Sequence, residues 1–122
     1  MNTIKVEDIA RICFSLVVDI RRHNFLENEL NLDETFDTIS AERQQQLIKN
    51  IEHIRLNPDI TAKEEHEIWA KLKINDGWKY GEVTDRENKI HACLVPYDEL
   101  NFYQKLKDHL VIETVKMYYL IK

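Results

Sequence analysis

Between positions 69 and 97 the chain carries both of its tryptophans, Trp69 and Trp78, both of its glycines, Gly77 and Gly81, and one of its two prolines, Pro96. A uniform helical bundle has no need of that concentration. Gly77 follows Asn75 and Asp76 at the end of a helical run, where a glycine supplies the left-handed backbone that stops a helix. The residues after it, Trp78, Lys79, Tyr80 and Gly81, read as an aromatic extended segment. Any fold for this chain must accommodate a helix that ends at a sharp turn and passes directly into aromatic backbone.

The flanking sequence supplies helices. Ile9, Ile12, Cys13, Leu16, Val17 and Ile20 recur at helical spacing over 4–22, and Arg21 and Arg22 close the last turn where cations suit the dipole. Ser40 is placed to cap a second helix through Leu56 with Leu47, Ile48, Ile51 and Ile54 on one side, stopped by Pro58. Thr61 and Glu64 have the spacing of a capping box, which predicts a third helix over 62–73 burying Ile68, Trp69 and Leu72. Two short strands, 78–83 and 89–95, are expected next, joined by the polar residues 84–88. Asn101 and Gln104 form another capping box, opening a final helix that carries Leu106, Leu110, Val111, Val115 and Met117. The stretch 23–37 is expected as an ordered loop pinned by Phe25, Leu26, Leu30, Leu32 and Phe36. The expected fold class is α+β: a mainly helical single domain over 1–122, with three helices, a short two-stranded antiparallel hairpin and a long C-terminal helix. Its core motif region is 61–121.

A net charge of −5 opposes binding to polymeric nucleic acid, which rests on many lysine and arginine contacts to phosphate. It does not oppose one nucleotide. Lys71, Lys73, Lys79, Arg86 and Lys89 balance Asp76, Glu82, Asp85 and Glu87 locally, and solvated faces are the plain reading of that balance. No apolar run approaches the ~20 residues that span a bilayer, so no membrane partner is expected. Without a signal-peptide pattern, a cytoplasmic location is expected, with Cys13 and Cys93 reduced and unlinked.

Catalytic and metal motifs fail on spacing. His66 and Glu67 begin like the zinc-protease signature, but Ala70 stands where the second histidine belongs. His91 and Cys93 have no second ligand pair, so a packed histidine and a buried cysteine are the simpler reading. Gly77 to Gly81 lacks the lysine and hydroxyl ending of a phosphate loop. No enzyme activity, metal or cofactor is expected. Trp69, Trp78 and Tyr80 admit two readings. They are either core packing or the walls of a slot for a planar ring, where stacking contributes ~1–3 kcal/mol per base.

Glu65, His66, Glu67 and Trp69, then Gly77, Trp78, Tyr80 and Gly81, Asp85, Lys89 and His91, and finally Leu94, Val95, Pro96 and Tyr97 resemble the repeated ryanodine-receptor (RyR) domain. Val6 to Ile20, Ser40 to Arg43 and Leu56 to Thr61 further resemble its stand-alone bacterial and phage version. Ala92, Asn101 and His109 depart from the residues usual there, and the anion contact of an arginine at position 109 is not carried over. The resemblance implies no enzymatic activity. In the animal channels it implies a cleft for adenine nucleotides, with the base against the tryptophan matching Trp69. In bacterial relatives it implies sensing of nucleotide-derived signals, and in a small phage-type copy their sequestration.

The expectation is therefore a ligand-binding module for a small adenine-type or cyclic-nucleotide signal. Trp69, Trp78 and Tyr80 would form its slot, and Lys79, Arg86 or Lys89 would face phosphates, with Glu65, His66, His91, Pro96 and Tyr97 around it. The alternative is a protein–protein interaction or self-association module, a homo-oligomer included, using the same aromatic patch.

Overall fold

Among the described residues, three of the four α-helices begin where a side chain closes the first turn. In the computed structural model, which describes residues 4–23 and 34–120, α1 spans Val6–His23, α2 Ala41–Leu56, α3 Ala62–Asn75 and α4 Phe102–Leu120. Ser40 Oγ accepts the Arg43 N–H at 3.2 Å to start α2. At α3 the box is reciprocal: Glu64 N–H donates to Thr61 Oγ1 at 3.1 Å and Thr61 N–H to Glu64 Oε1 at 3.2 Å. At α4 the same exchange joins Asn101 and Gln104 at 2.9 and 3.0 Å. Each box satisfies donors that a helix start otherwise leaves without partners.

α4 contacts α1, α2 and α3, and α1 also packs on α2. The core between them holds Ile9, Ala10, Cys13, Phe14 and Val18 of α1, Ile51 and Ile54 of α2, and Ile112 and Val115 of α4. Phe36 and Ile39 cap it from the segment before α2. Of the expected loop over 23–37, residues 24–33 lie outside the described residues.

Two buried faces differ from the periodicity reading. On α1 the inward stripe is 9, 10, 13, 14 and 18 and ends on Arg21, whereas Ile12, Leu16, Val17 and Ile20 are only half-buried. On α3 the expected apolar pair faces out: Ile68 is 41% exposed and Leu72 64%. Ala62, His66 and Lys73 are buried instead. The stripe turned toward α4 and the short 3-10 helix Tyr97–Glu99 is mixed in polarity, so apolar spacing alone points to the wrong side.

α3 ends in a Schellman turn at Gly77, whose φ is 88°. The Gly77 N–H reaches Ile74 O and the Trp78 N–H reaches Lys73 O, each at 3.0 Å. The two-stranded sheet is a correction: β1 (Lys79–Tyr80) and β2 (Ile90–His91) run parallel, not antiparallel, pairing Lys79 with Ile90 and Tyr80 with His91. The reason is where the chain reverses. An antiparallel bridge does form at the polar loop, between Asp85 and Ile90. Asn88 Nδ2 bonds Asp85 Oδ2 at 2.7 Å and Lys89 takes a positive φ of 56° to close that turn. Asp85 exchanges both backbone bonds with Ile90 at 2.9 Å and so takes one edge of β2, which leaves β1 the opposite edge, where it runs in the same direction. The approach is close at Gly81, where a Cβ would run into the Ile90 side chain. Cys93 lies in the turn after β2, outside the strand expected for it, and both cysteines are free thiols.

Candidate ligand-binding site

The rings of Trp69, Trp78, His66, His91, Tyr97 and His109 form one chain of contacts. Trp69 meets His91 edge-on with centroids 4.9 Å apart and lies 5.4 Å from His66. Trp78 approaches the other side of His91 at 6.1 Å. His66 continues to Tyr97 at 6.1 Å, and the Tyr97 hydroxyl bonds His109 Nε2 at 2.8 Å.

Backbone partners fix the two buried imidazoles. Cys93 N–H donates to His91 Nδ1 at 3.0 Å, and because a backbone N–H only donates, His91 is neutral with its proton on Nε2. His66 Nε2 bonds the Val95 carbonyl at 2.7 Å, which accepts only, so the proton is on Nε2 there too. His66 Nδ1 then faces Asp108 Oδ2 at 3.7 Å.

Two adjoining cavities open beside Trp69 and His91. The first, about 220 Å³, is lined by Arg21, Arg43, Lys73 and Arg86 together with Phe14, Gln46, Asn50, Trp69 and His91. Among the described residues that line it, none is a carboxylate. The second, about 210 Å³, shares Arg21, Asn50, Trp69 and His91 and adds Glu65, His66, Cys93, Gln104, Lys107 and Asp108. One lobe is thus cationic; the other mixes hydrogen-bond donors and acceptors. Trp69 also borders a groove of about 430 Å³ on the outer face of α2 and α3, with Ile68 and Leu72.

The cations come from separate elements. Arg43 grips Glu34 with two bonds, of 2.7 and 3.2 Å. Lys73 is only 7% exposed. Its ammonium lies 4.3 Å from the centre of the Trp78 ring and bonds a neutral oxygen, Gln46 Oε1, at 3.2 Å. Burial lowers the Lys73 pKa, and Arg86 and Arg43 lower it further by repulsion, against the attraction of Glu42 and Asp76. In the second lobe burial raises the Glu65 pKa, opposed by the His53 ring that bonds its Oε2 at 3.0 Å.

The structure gathers Trp69, His91, Arg86, Glu65 and His66 around these lobes, whereas Trp78 lines neither and reaches them only through its contacts with His91 and Lys73. Other residues singled out in the sequence lie elsewhere. Tyr80 is 54% exposed and lines a separate surface recess with Glu82 and Asn101. Lys79 is exposed in β1. Lys89 is turned back onto α3, donating to the Asp76 carbonyl at 2.8 Å. Pro96 is exposed and precedes the 3-10 helix that carries Tyr97.

A comparison with protein-family models matches the RyR domain over residues 42–121. The chain belongs to the RyR-domain family. The matched segment contains all of α2 but its first residue, and the whole of α3, both strands and α4, hence the ring chain and most of the two lobes. α1 lies outside it, yet supplies Phe14, Val17 and Arg21 to the cationic lobe.

Sequence reasoning missed Arg21, Arg43 and Lys73 as lining residues. A signal was present for two of them. Arg21 is three residues from Val18 and four from Val17, and Lys73 is four from Trp69 and seven from His66. Both therefore extend an inward helical face. In the RyR domain no group of three histidine, cysteine or acidic side chains could hold a metal ion among the described residues. No helix of the described residues is long and apolar enough to cross a membrane.

Proposed function

We propose that this RyR domain is a non-enzymatic module that binds a small nucleotide-derived ligand, adenine-type or cyclic. The observation that carries the reading is the pair of adjoining lobes walled by Trp69 and His91, one cationic and the other rich in donors and acceptors. Base-sized planar groups stack on such a wall, and Glu65, Asn50 and Gln104 offer polar atoms suited to a base edge. Arg86, alone of the three cations expected to face phosphates, lines the lobe. The resemblance of 6–20, 40–43 and 56–61 to stand-alone bacterial and phage copies favours a sensor or a sequestering protein acting on a diffusible signal.

A thermal-shift series with mononucleotides and cyclic nucleotides tests this. A ligand selective for the native state raises the midpoint with concentration. No response to any member would refute the reading.

A second reading is supported by the apolar groove on α2 and α3. Ile68 and Leu72 in it are 41% and 64% exposed, a surface suited to a partner protein or a second copy. Sedimentation of the chain across a concentration series separates self-association from a monomeric ligand binder.

A further inference from the structure

We infer that the cationic lobe receives the multiply charged end of the ligand, a diphosphate or comparable polyanion, and that α1 completes this subsite with Arg21. The inference rests on the ligand-binding reading above and specifies which end of the ligand goes where. Arg21 comes from α1, Arg43 from α2, Lys73 from α3 and Arg86 from the loop before β2, and all four face one cavity with no carboxylate in its described lining. Arg43 is answered by Glu34. Lys73 is not answered in that way: it is buried, bonds a neutral amide oxygen, and no ion pair ties it to a carboxylate among the described residues.

Arg86 and Arg43 repel the Lys73 ammonium while Glu42 and Asp76 attract it without an ion pair, and a buried ammonium is costly unless an anion directly accompanies it. The protein carries a net charge of −5, so a positive lining here is a local arrangement rather than a reflection of the whole surface. Several positive groups held apart by four different elements match a ligand with several negative oxygens better than one with a single carboxylate. The uncharged end is left to the second lobe, where Glu65 and Gln104 lie across Trp69 and His91. Arg21 lies outside the family-matched segment, so the charge complement depends on a helix that the segment itself lacks.

The test uses the full chain with inorganic pyrophosphate, ADP and adenosine, read by thermal shift and calorimetry. Pyrophosphate is expected to raise the midpoint, and ADP to bind at least tenfold more tightly than adenosine. Arg86→Met and Lys73→Met should each weaken pyrophosphate binding tenfold or more while keeping a native circular dichroism spectrum. Lys71→Met, which removes an exposed cation two residues from Lys73, should not. Equal affinity for ADP and adenosine with no pyrophosphate response would overturn the inference and leave the ligand-binding reading standing. Equal weakening in Lys71→Met would reduce the effect to diffuse charge and overturn it as well. Silence toward all three probes would overturn the inference, and silence toward the cyclic nucleotides and other mononucleotides as well would overturn the ligand-binding reading.

Discussion

The Lys73 ammonium sits 4.3 Å from the centre of the Trp78 ring, and the backbone puts it there. In the Schellman turn the Trp78 N–H bonds the Lys73 carbonyl at 3.0 Å, so Trp78 returns over the residue five positions before it. An apolar contact usually accompanies that turn; here an indole over a lysine takes its place. The helix end and the floor of the cationic lobe are consequently one piece of structure. Gly77 makes the arrangement available, because φ of 88° strains any residue with a Cβ.

Trp78→Ala should therefore destabilise the fold more than Trp69→Ala. Trp78 locks the end of α3 and covers Lys73, and its removal should cost on the order of 2 kcal/mol, below the value for a fully buried tryptophan. Trp69 borders three open spaces, so its truncation loses fewer contacts. It should stay folded and lose ~1–3 kcal/mol of nucleotide binding. Denaturant unfolding and calorimetric titration of both variants check the ranking. An unfolded Trp69→Ala would contradict it.

The signals that survived translation into structure were those with a local mechanism. Thr61 with Glu64, Asn101 with Gln104, Ser40 and Gly77 all act within a few residues of themselves, and each does in the fold what its spacing predicts. The site depended on tertiary placement. The spacing reads Arg21 as a cation that suits the end of the α1 dipole and Lys73 as part of a locally balanced, solvated stretch, and only packing against neighbouring elements shows that both face inward. Strand direction was hidden for a related reason. The turn at 85–90 is local and legible, but it closes on Asp85 instead of β1, and residue pattern does not say which segment takes the free side of Ile90.

Glu65→Gln should become more favourable relative to the native chain as pH rises. Burial holds the Glu65 pKa above the ordinary carboxylate range, so the fold favours its protonated form. A group raised in this way contributes stability that is present at acid pH and lost as pH climbs through its folded-state value. Glutamine stays neutral throughout. The difference in melting temperature between variant and native chain should be smallest below about pH 4 and grow toward neutrality in favour of the variant. The opposite trend would show that the His53 contact dominates.

Alkylation should distinguish the two thiols sharply. Cys13 is 1% exposed and burial pushes its pKa up to about 11, so thiolate is scarce at neutral pH. Cys93 is half-buried and lines the second lobe. Iodoacetamide at neutral pH should modify Cys93 first and Cys13 only on unfolding, as read by mass spectrometry. A nucleotide that fills the second lobe should slow the Cys93 reaction.

Lys73→Met should leave the unliganded protein as stable as before, or more stable by up to about 1 kcal/mol. The substitution discards an ammonium that burial and the charges of Arg86 and Arg43 disfavour. It also gives up a cation–π contact and the Gln46 bond, each worth about 1 kcal/mol. Methionine keeps a similar length of apolar stem under Trp78, and its sulfur restores part of the ring contact. Attraction from Glu42 and Asp76 is lost too, but it acts without an ion pair to Lys73 among the described residues. Salt should narrow the difference only slightly, because the charges acting on the buried Lys73 are screened far less than exposed ones. Urea unfolding at low and high ionic strength measures both effects. A loss above about 1 kcal/mol would mean that Lys73 is held for the fold. A stability gain accompanied by weaker pyrophosphate binding would mean that the buried charge is kept for the ligand, at the expense of the empty protein.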